Sequence, residues 1–177
     1  VDSGDRVSGN AYVDDAKEAG VPIIELMNSV GYDVVTLGNH EFDKGYEVLN
    51  TMIERSEFKW VCANMKCDKP TDVEAYTTFD INGVSICFVG VVSTENNGFP
   101  LGKKSGYEFF TFKNDIDCAK QLGSELTQAN DFVILLSHMG YDMDCRLAQD
   151  KANNYNWIAG GHSHDLKNER VGTTHLT

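Results

Sequence analysis

The sequence predicts a mixed α/β domain in which helices flank sheet, and three observations predict it. Apolar runs of strand length alternate with segments whose apolar residues fall at helical spacing. Asn82-Gly83 separates two β-prone runs, a strong hairpin signal. Three apolar runs end in polar residues that include four of the five histidines. In open α/β sheets the carboxyl ends of strands form the ligand-binding edge.

The elements follow in order. Val1 to Asp5 reads as the end of a strand. Pro22 to Val30 places Ile23, Leu26, Met27 and Val30 at helical spacing, with Pro in the first turn and Gly31 as the stop. Val34–Leu37 is a buried strand. Gly45 to Arg55 is a second helix, with Val48, Leu49, Met52 and Ile53 on one face, and Trp60–Asn64 is a short strand. Thr77–Ile81 and Val84–Val92 form the hairpin. Thr94–Lys104, rich in Asn, Gly and Lys, is a surface loop. Asn114 caps a helix reaching Gln128, with Ile116, Ala119, Leu122 and Leu126 inward. A strand at Phe132–Leu136, a helix near Asp144–Ala152 and a strand at Trp157–Ala159 follow. Thr173–Thr177 is β-prone. Asp142 and Asp144 are expected in a loop and as a helix cap. Asp14, Asp15 and Glu18 are expected on a solvated acidic face, and His175 at a surface or sheet edge.

The bulk numbers bound the function. A length of 177 residues suits one domain with a sizeable core. A net charge of −12 argues against nonspecific binding to nucleic-acid polymers or anionic membranes. It also repels a phosphorylated substrate, unless bound cations reverse the field locally. There is no apolar run long enough to span a membrane. Five cysteines occur, with no CxxC, which disfavours a cysteine-based zinc site. Cys87 falls in an apolar strand, a core position. Cys62 and Cys67 are close enough to pair in an oxidising compartment, and spacing alone leaves this open.

The strand ends carry the chemistry. Val34–Leu37 leads into Gly38-Asn39-His40-Glu41-Phe42-Asp43, Phe132–Leu136 into Ser137-His138, and Trp157–Ala159 into Gly160-Gly161-His162-Ser163-His164. Asp5 follows Gly4, and its carboxylate could bridge two cations. Asn39 offers a carbonyl oxygen; His138, His162 and His164 offer neutral nitrogens. Mixed oxygen and nitrogen ligation suits divalent Zn, Mn, Fe or Co. On an extended segment His162 and His164 point the same way; a turn at Ser163 would aim them at different metals.

The set Gly4-Asp5, Gly38-Asn39-His40-Glu41, His138 and Gly161-His162-Ser163-His164 resembles the calcineurin-like metallophosphoesterase signature. The longer forms Gly38 to Asp43 and Gly160 to Asp165 resemble its 5′-nucleotidase branch more narrowly, and the motifs cover about residues 1 to 165. The resemblance implies a four-layer αββα, sandwich-like domain. It implies that Asp5 bridges two divalent metals, that Asn39, His138 and His162 complete one site, and that His164 belongs to the other. His40 then contacts the phosphate as the catalytic group, beside Asn39, with Asp43 orienting it through the second ring nitrogen. Glu41 becomes a supporting rather than a ligating residue. Phe109, Phe110 and Phe112 become a strand or packing cluster, because that branch stacks the base on a separate C-terminal domain.

The implied reaction is hydrolysis of a small phosphate ester, most narrowly a nucleoside 5′-monophosphate, by a metal-activated hydroxide. Cyclic-nucleotide or nucleotide-sugar hydrolysis uses the same site, and an inactive metal-binding or interaction domain is the alternative of another class. The resemblance further implies an extracytoplasmic location. The whole chain, 1–177, is then one metallophosphoesterase domain that lacks the upstream Asp-x-His motif and the C-terminal substrate domain. Both ends read as cut, so the absence of a visible signal peptide carries little weight. On this count, at most one metal is expected to bind tightly.

Overall fold

Side chains that alternate along one central strand hold this domain together in layers. The computed structural model describes residues 1–177. The smaller sheet is parallel, in the order β1 (Val34–Thr36), β2 (Lys59–Val61), β4 (Val73–Glu74). Asp2 bridges to Val35 beside it. β3 (Met65–Cys67) and β7 (Phe110–Phe112) form a separate antiparallel ribbon. The larger sheet contains β5 (Tyr76–Ile81), β6 (Val84–Val92), β8 (Phe132–His138), β9 (Trp157–Ala159), β10 (Glu169–Val171) and β11 (Thr174–Leu176). Its order is β10-β11-β9-β8-β6-β5, with the four inner strands parallel and both edge strands antiparallel to their neighbours.

A short helix, α1 (Ala11–Asp14), precedes two helices on the smaller sheet, α2 (Val21–Val30) and α3 (Tyr46–Arg55). They pack Ile24, Met27, Leu49 and Met52 against Val35, Leu37 and Trp60. On the far side, α4 (Asp115–Leu126) and α5 (Tyr141–Gln149) pack Ala119, Leu126 and Leu147 against the larger sheet. β6 shows why the layers form. Cys87, Val89 and Val91 face those outer helices, whereas Phe88 points between the sheets. Val34, Val61, Leu136 and Ala159 fill that inter-sheet layer. The result is the αββα order.

At Gly90 the two sheets approach too closely for any side chain. A Cβ there would lie 2.2 Å from the Val61 carbonyl oxygen and 2.5 Å from Thr36 Oγ1. Gly90→Ala is therefore expected to destabilise by about 1–3 kcal/mol, the usual scale of overpacking. Urea unfolding checks this; a loss under about 0.5 kcal/mol would mean the sheets separate freely.

Several local expectations need correction. The Asn82-Gly83 turn forms as expected, with φ of 56° and 82°. The strand expected at Trp60–Asn64 ends at Val61, because the Asn64 side chain instead clasps the Val92 N–H and C=O. α5 begins three residues before the expected Asp144, behind Gly140, so Asp144 is not a cap. Asp14 is not simply solvated: its carboxylate accepts the N–H groups of Ser8, Gly9 and Asn10 and shapes that loop. All five cysteines are free thiols. Phe110 packs edge-on to Phe42, with ring centroids 5.0 Å apart, while Phe109 meets Tyr46.

Candidate metal centre

The polar residues converge because three loops meet where two glycines touch. Gly4 and Gly38 face each other; a Cβ on Gly4 would lie 2.4 Å from the Gly38 nitrogen. A Cβ on Gly38 would lie 2.2 Å from Asp5 Oδ1. Glu41, fully buried, ties the two loops together. Its carboxylate accepts the N–H groups of Asp5 at 2.9 Å, Arg6 at 2.9 Å and Gly38 at 2.6 Å. The buried Arg6 guanidinium lies 3.6 Å from Glu41 and over the Trp60 ring. Asp5 is thereby held at φ 62°, in the left-handed region that non-glycine residues seldom occupy.

Ligating atoms of Asp5, His138 and His162 all lie within 4.8 Å of one another. His138 Nδ1 donates to the Ser3 carbonyl at 2.6 Å. A carbonyl only accepts, so Nδ1 carries a proton, and Nε2 is the nitrogen that faces the site. There Asp5 Oδ2 lies 3.0 Å away and Asn39 Oδ1 3.2 Å away. Two acceptor oxygens thus face one nitrogen, and a cation between them satisfies all three. Burial alone would lower the His138 pKa, but the Asp5 bond and charge raise it above the ordinary value. Burial would raise the Asp5 carboxyl; its bonds to His138 and to the His40 N–H, with the charges of both rings, hold it lower. His162 reaches the cluster from a strained turn at φ 74°, its ring centroid 5.0 Å from that of His138.

His40 and His164 stand apart. The His40 backbone N–H donates to Asp5 Oδ1 at 2.9 Å, while its ring nitrogen Nδ1 lies 2.7 Å from Asp43 Oδ2. Asp43 also accepts the Ser8 hydroxyl at 2.6 Å. Burial lowers the His40 pKa, but Asp43, Asp5 and Glu41 outweigh it and raise the value. His164, the residue after Ser163 and at φ 57°, is exposed and outside the convergent group. Left-handed φ at both His162 and His164 makes this segment a turn rather than extended backbone.

The structure adds two residues to the neighbourhood. Glu95 Oε1 lies 2.9 Å from His162 Nε2; its loop gave no chemical signal in the sequence. Asp144 is buried behind Gly160, accepts the Ser137 hydroxyl at 2.5 Å, and is pushed up to about 7 by burial. A carboxyl whose folded pKa is raised destabilises as pH climbs from its unfolded value, about 4, through the folded one. Asp144→Asn is therefore expected to gain stability over wild type between pH 5 and pH 8, by a few kcal/mol at the upper end. Urea unfolding in EDTA at both pH values measures it; parallel pH dependences would contradict it.

The sequence matches the calcineurin-like phosphoesterase family over residues 1–166. The chain belongs to that family. Among curated relatives of this phosphoesterase domain are the 5′-nucleotidases of Bos taurus and Homo sapiens, both 29% identical over 168 residues. Each alignment covers 92% of this chain and 29% of the relative, so the chain spans about three-tenths of those proteins' length. A 5′-nucleotidase precursor from Thermus thermophilus superposes with a TM-score of 0.78 at 25% identity, covering 93% of this chain and 32% of that one. The NAD nucleotidase of Haemophilus influenzae gives 0.78 at 28%, covering 97% and 34%. These neighbours fit the layered mixed α/β architecture. Calcineurin-like phosphoesterases use divalent metals, and the two oxygens and two imidazoles here suit such ions.

Proposed function

We propose that this domain hydrolyses small phosphate esters, most narrowly nucleoside 5′-monophosphates, at a divalent-metal centre built from Asp5, Asn39, His138 and His162. The carrying observation is the pair of acceptor oxygens at 3.0 and 3.2 Å from one imidazole nitrogen, a geometry that calls for a cation. Zn, Mn, Co or Fe would be accepted by this set. His164 would serve a second ion. A bound ion would acidify a water and draw an anionic ester to a chain of net charge −12.

The chain's own residues do the rest. Glu41 fixes the Asp5 loop against the Asn39 loop, so two donors from distant sequence hold constant spacing. Asn39 and His40 contact the phosphoryl group. Asp43 accepts from His40 Nδ1, which leaves Nε2 to donate a proton or hydrogen bond to the phosphoryl or leaving oxygen. Retention of this pair favours an enzyme over a metal-binding module, since neither residue is needed to hold metal.

The relatives named 5′-nucleotidase support a nucleotide as the substrate, and the NAD nucleotidase keeps larger nucleotide esters in view. An extracytoplasmic setting fits the matches to a snake-venom 5′-nucleotidase and to a precursor. No helix is long and apolar enough to cross a membrane. The test is phosphate release from nucleoside monophosphates, cyclic nucleotides and nucleotide sugars with added Mn or Zn. In the full-length protein, monophosphate turnover abolished by chelation is expected, and no turnover of any ester there would refute the reading.

A further inference from the structure

We propose that Glu95 is a positioning residue of this centre: its carboxylate accepts the His162 Nε2 proton and so presents Nδ1 as the ligating nitrogen. The inference rests on the metal-centre reading above. A carboxylate and an imidazole nitrogen 2.9 Å apart share a proton that the nitrogen donates. The neutral ring then carries its lone pair on Nδ1. His138 has the opposite arrangement, with Nδ1 donating to the Ser3 carbonyl and Nε2 facing Asp5. The two rings thus use different outer partners and different inner nitrogens.

The surroundings make Glu95 a placed residue and not a stray surface charge. Ser93 N–H donates to the His138 carbonyl at 3.0 Å, and Thr94 N–H to the buried Asp115 carboxylate at 2.8 Å. The Glu95 N–H donates to Ser93 Oγ at 3.3 Å. The residue is therefore held by the end of β6, beside the strand that delivers His138. On the other side, the Tyr141 N–H donates to Ser163 Oγ at 3.1 Å and holds the turn that carries His162. Glu95 joins these two supports across the ring.

Zinc titration calorimetry of the full chain, with ring nitrogen NMR of the metal-free protein near pH 8, tests this. Glu95→Ala is expected to weaken zinc binding by about 10–100-fold, the usual effect of removing such a partner. Its His162 ring should change from one tautomer, protonated on Nε2, to a mixture. Glu95→Gln keeps an accepting oxygen and should restore both properties in large part. Zinc binding and tautomer unchanged in Glu95→Ala would overturn the proposal, as would tighter binding, which would mark Glu95 as a competitor for the ring. A wild-type chain that binds no zinc would overturn the metal centre itself, a result the variants cannot mimic.

Discussion

Replacing His40 by Asn is expected to lower phosphate-ester turnover by about 10²–10⁴-fold, the scale of one catalytic donor, while metal content stays at the wild-type level. The two halves of this expectation come from separate atoms of one residue. The His40 backbone N–H supports Asp5 Oδ1, and any residue supplies that bond. The ring is outside the ligating cluster, its side chain 43% exposed and paired with Asp43. Asn fills part of the space but cannot pass a proton from one end to the other. Steady-state kinetics and metal analysis of the same preparation check it. Loss of metal would make His40 a ligand; retained turnover would remove it from the chemistry.

Glu41→Ala is expected to cost about 3–5 kcal/mol of stability, the range for breaking a buried ion pair by deleting one partner. Three backbone N–H groups and the Arg6 guanidinium lose their acceptor together. Water cannot replace it, because the Glu41 side chain has no exposed surface. Arg6 keeps Asp2 and the Thr36 carbonyl, so the fold need not collapse outright. Equilibrium urea unfolding measures the loss, and a value below about 1 kcal/mol would show that the loops hold each other without this carboxylate.

How much of this was legible in the sequence depended on the range of the interaction. The Asn82-Gly83 hairpin and the Asn114 cap are set by a few adjacent residues, and the Asn114 side chain accepts from Asp117 N–H as its position suggested. The strand-end histidines were visible because apolar runs end abruptly in polar residues. Asp14 and Asp144 were misjudged because a carboxylate near a turn looks alike whether it caps, clamps or is buried. Which it does depends on the donors that reach it, the N–H groups of Ser8 to Asn10 in one case and the Ser137 hydroxyl in the other. Glu95 was not singled out, because its loop carries no motif that marks it as the partner of His162, 67 residues away. Short edge strands such as β4 and β10 carry too few residues for periodicity to register.

The central claim is that Asp5, Asn39, His138 and His162 form one cation site. Metal-equilibrated dialysis followed by inductively coupled plasma mass spectrometry, on wild type and on His138→Ala, tests it most directly. Tightly held Zn or Mn is expected in the wild type and its loss in His138→Ala, because His138 Nε2 lies within 3.2 Å of both the Asp5 and the Asn39 oxygen. Equal metal content in the two proteins, or none in either at wild-type foldedness, would contradict it.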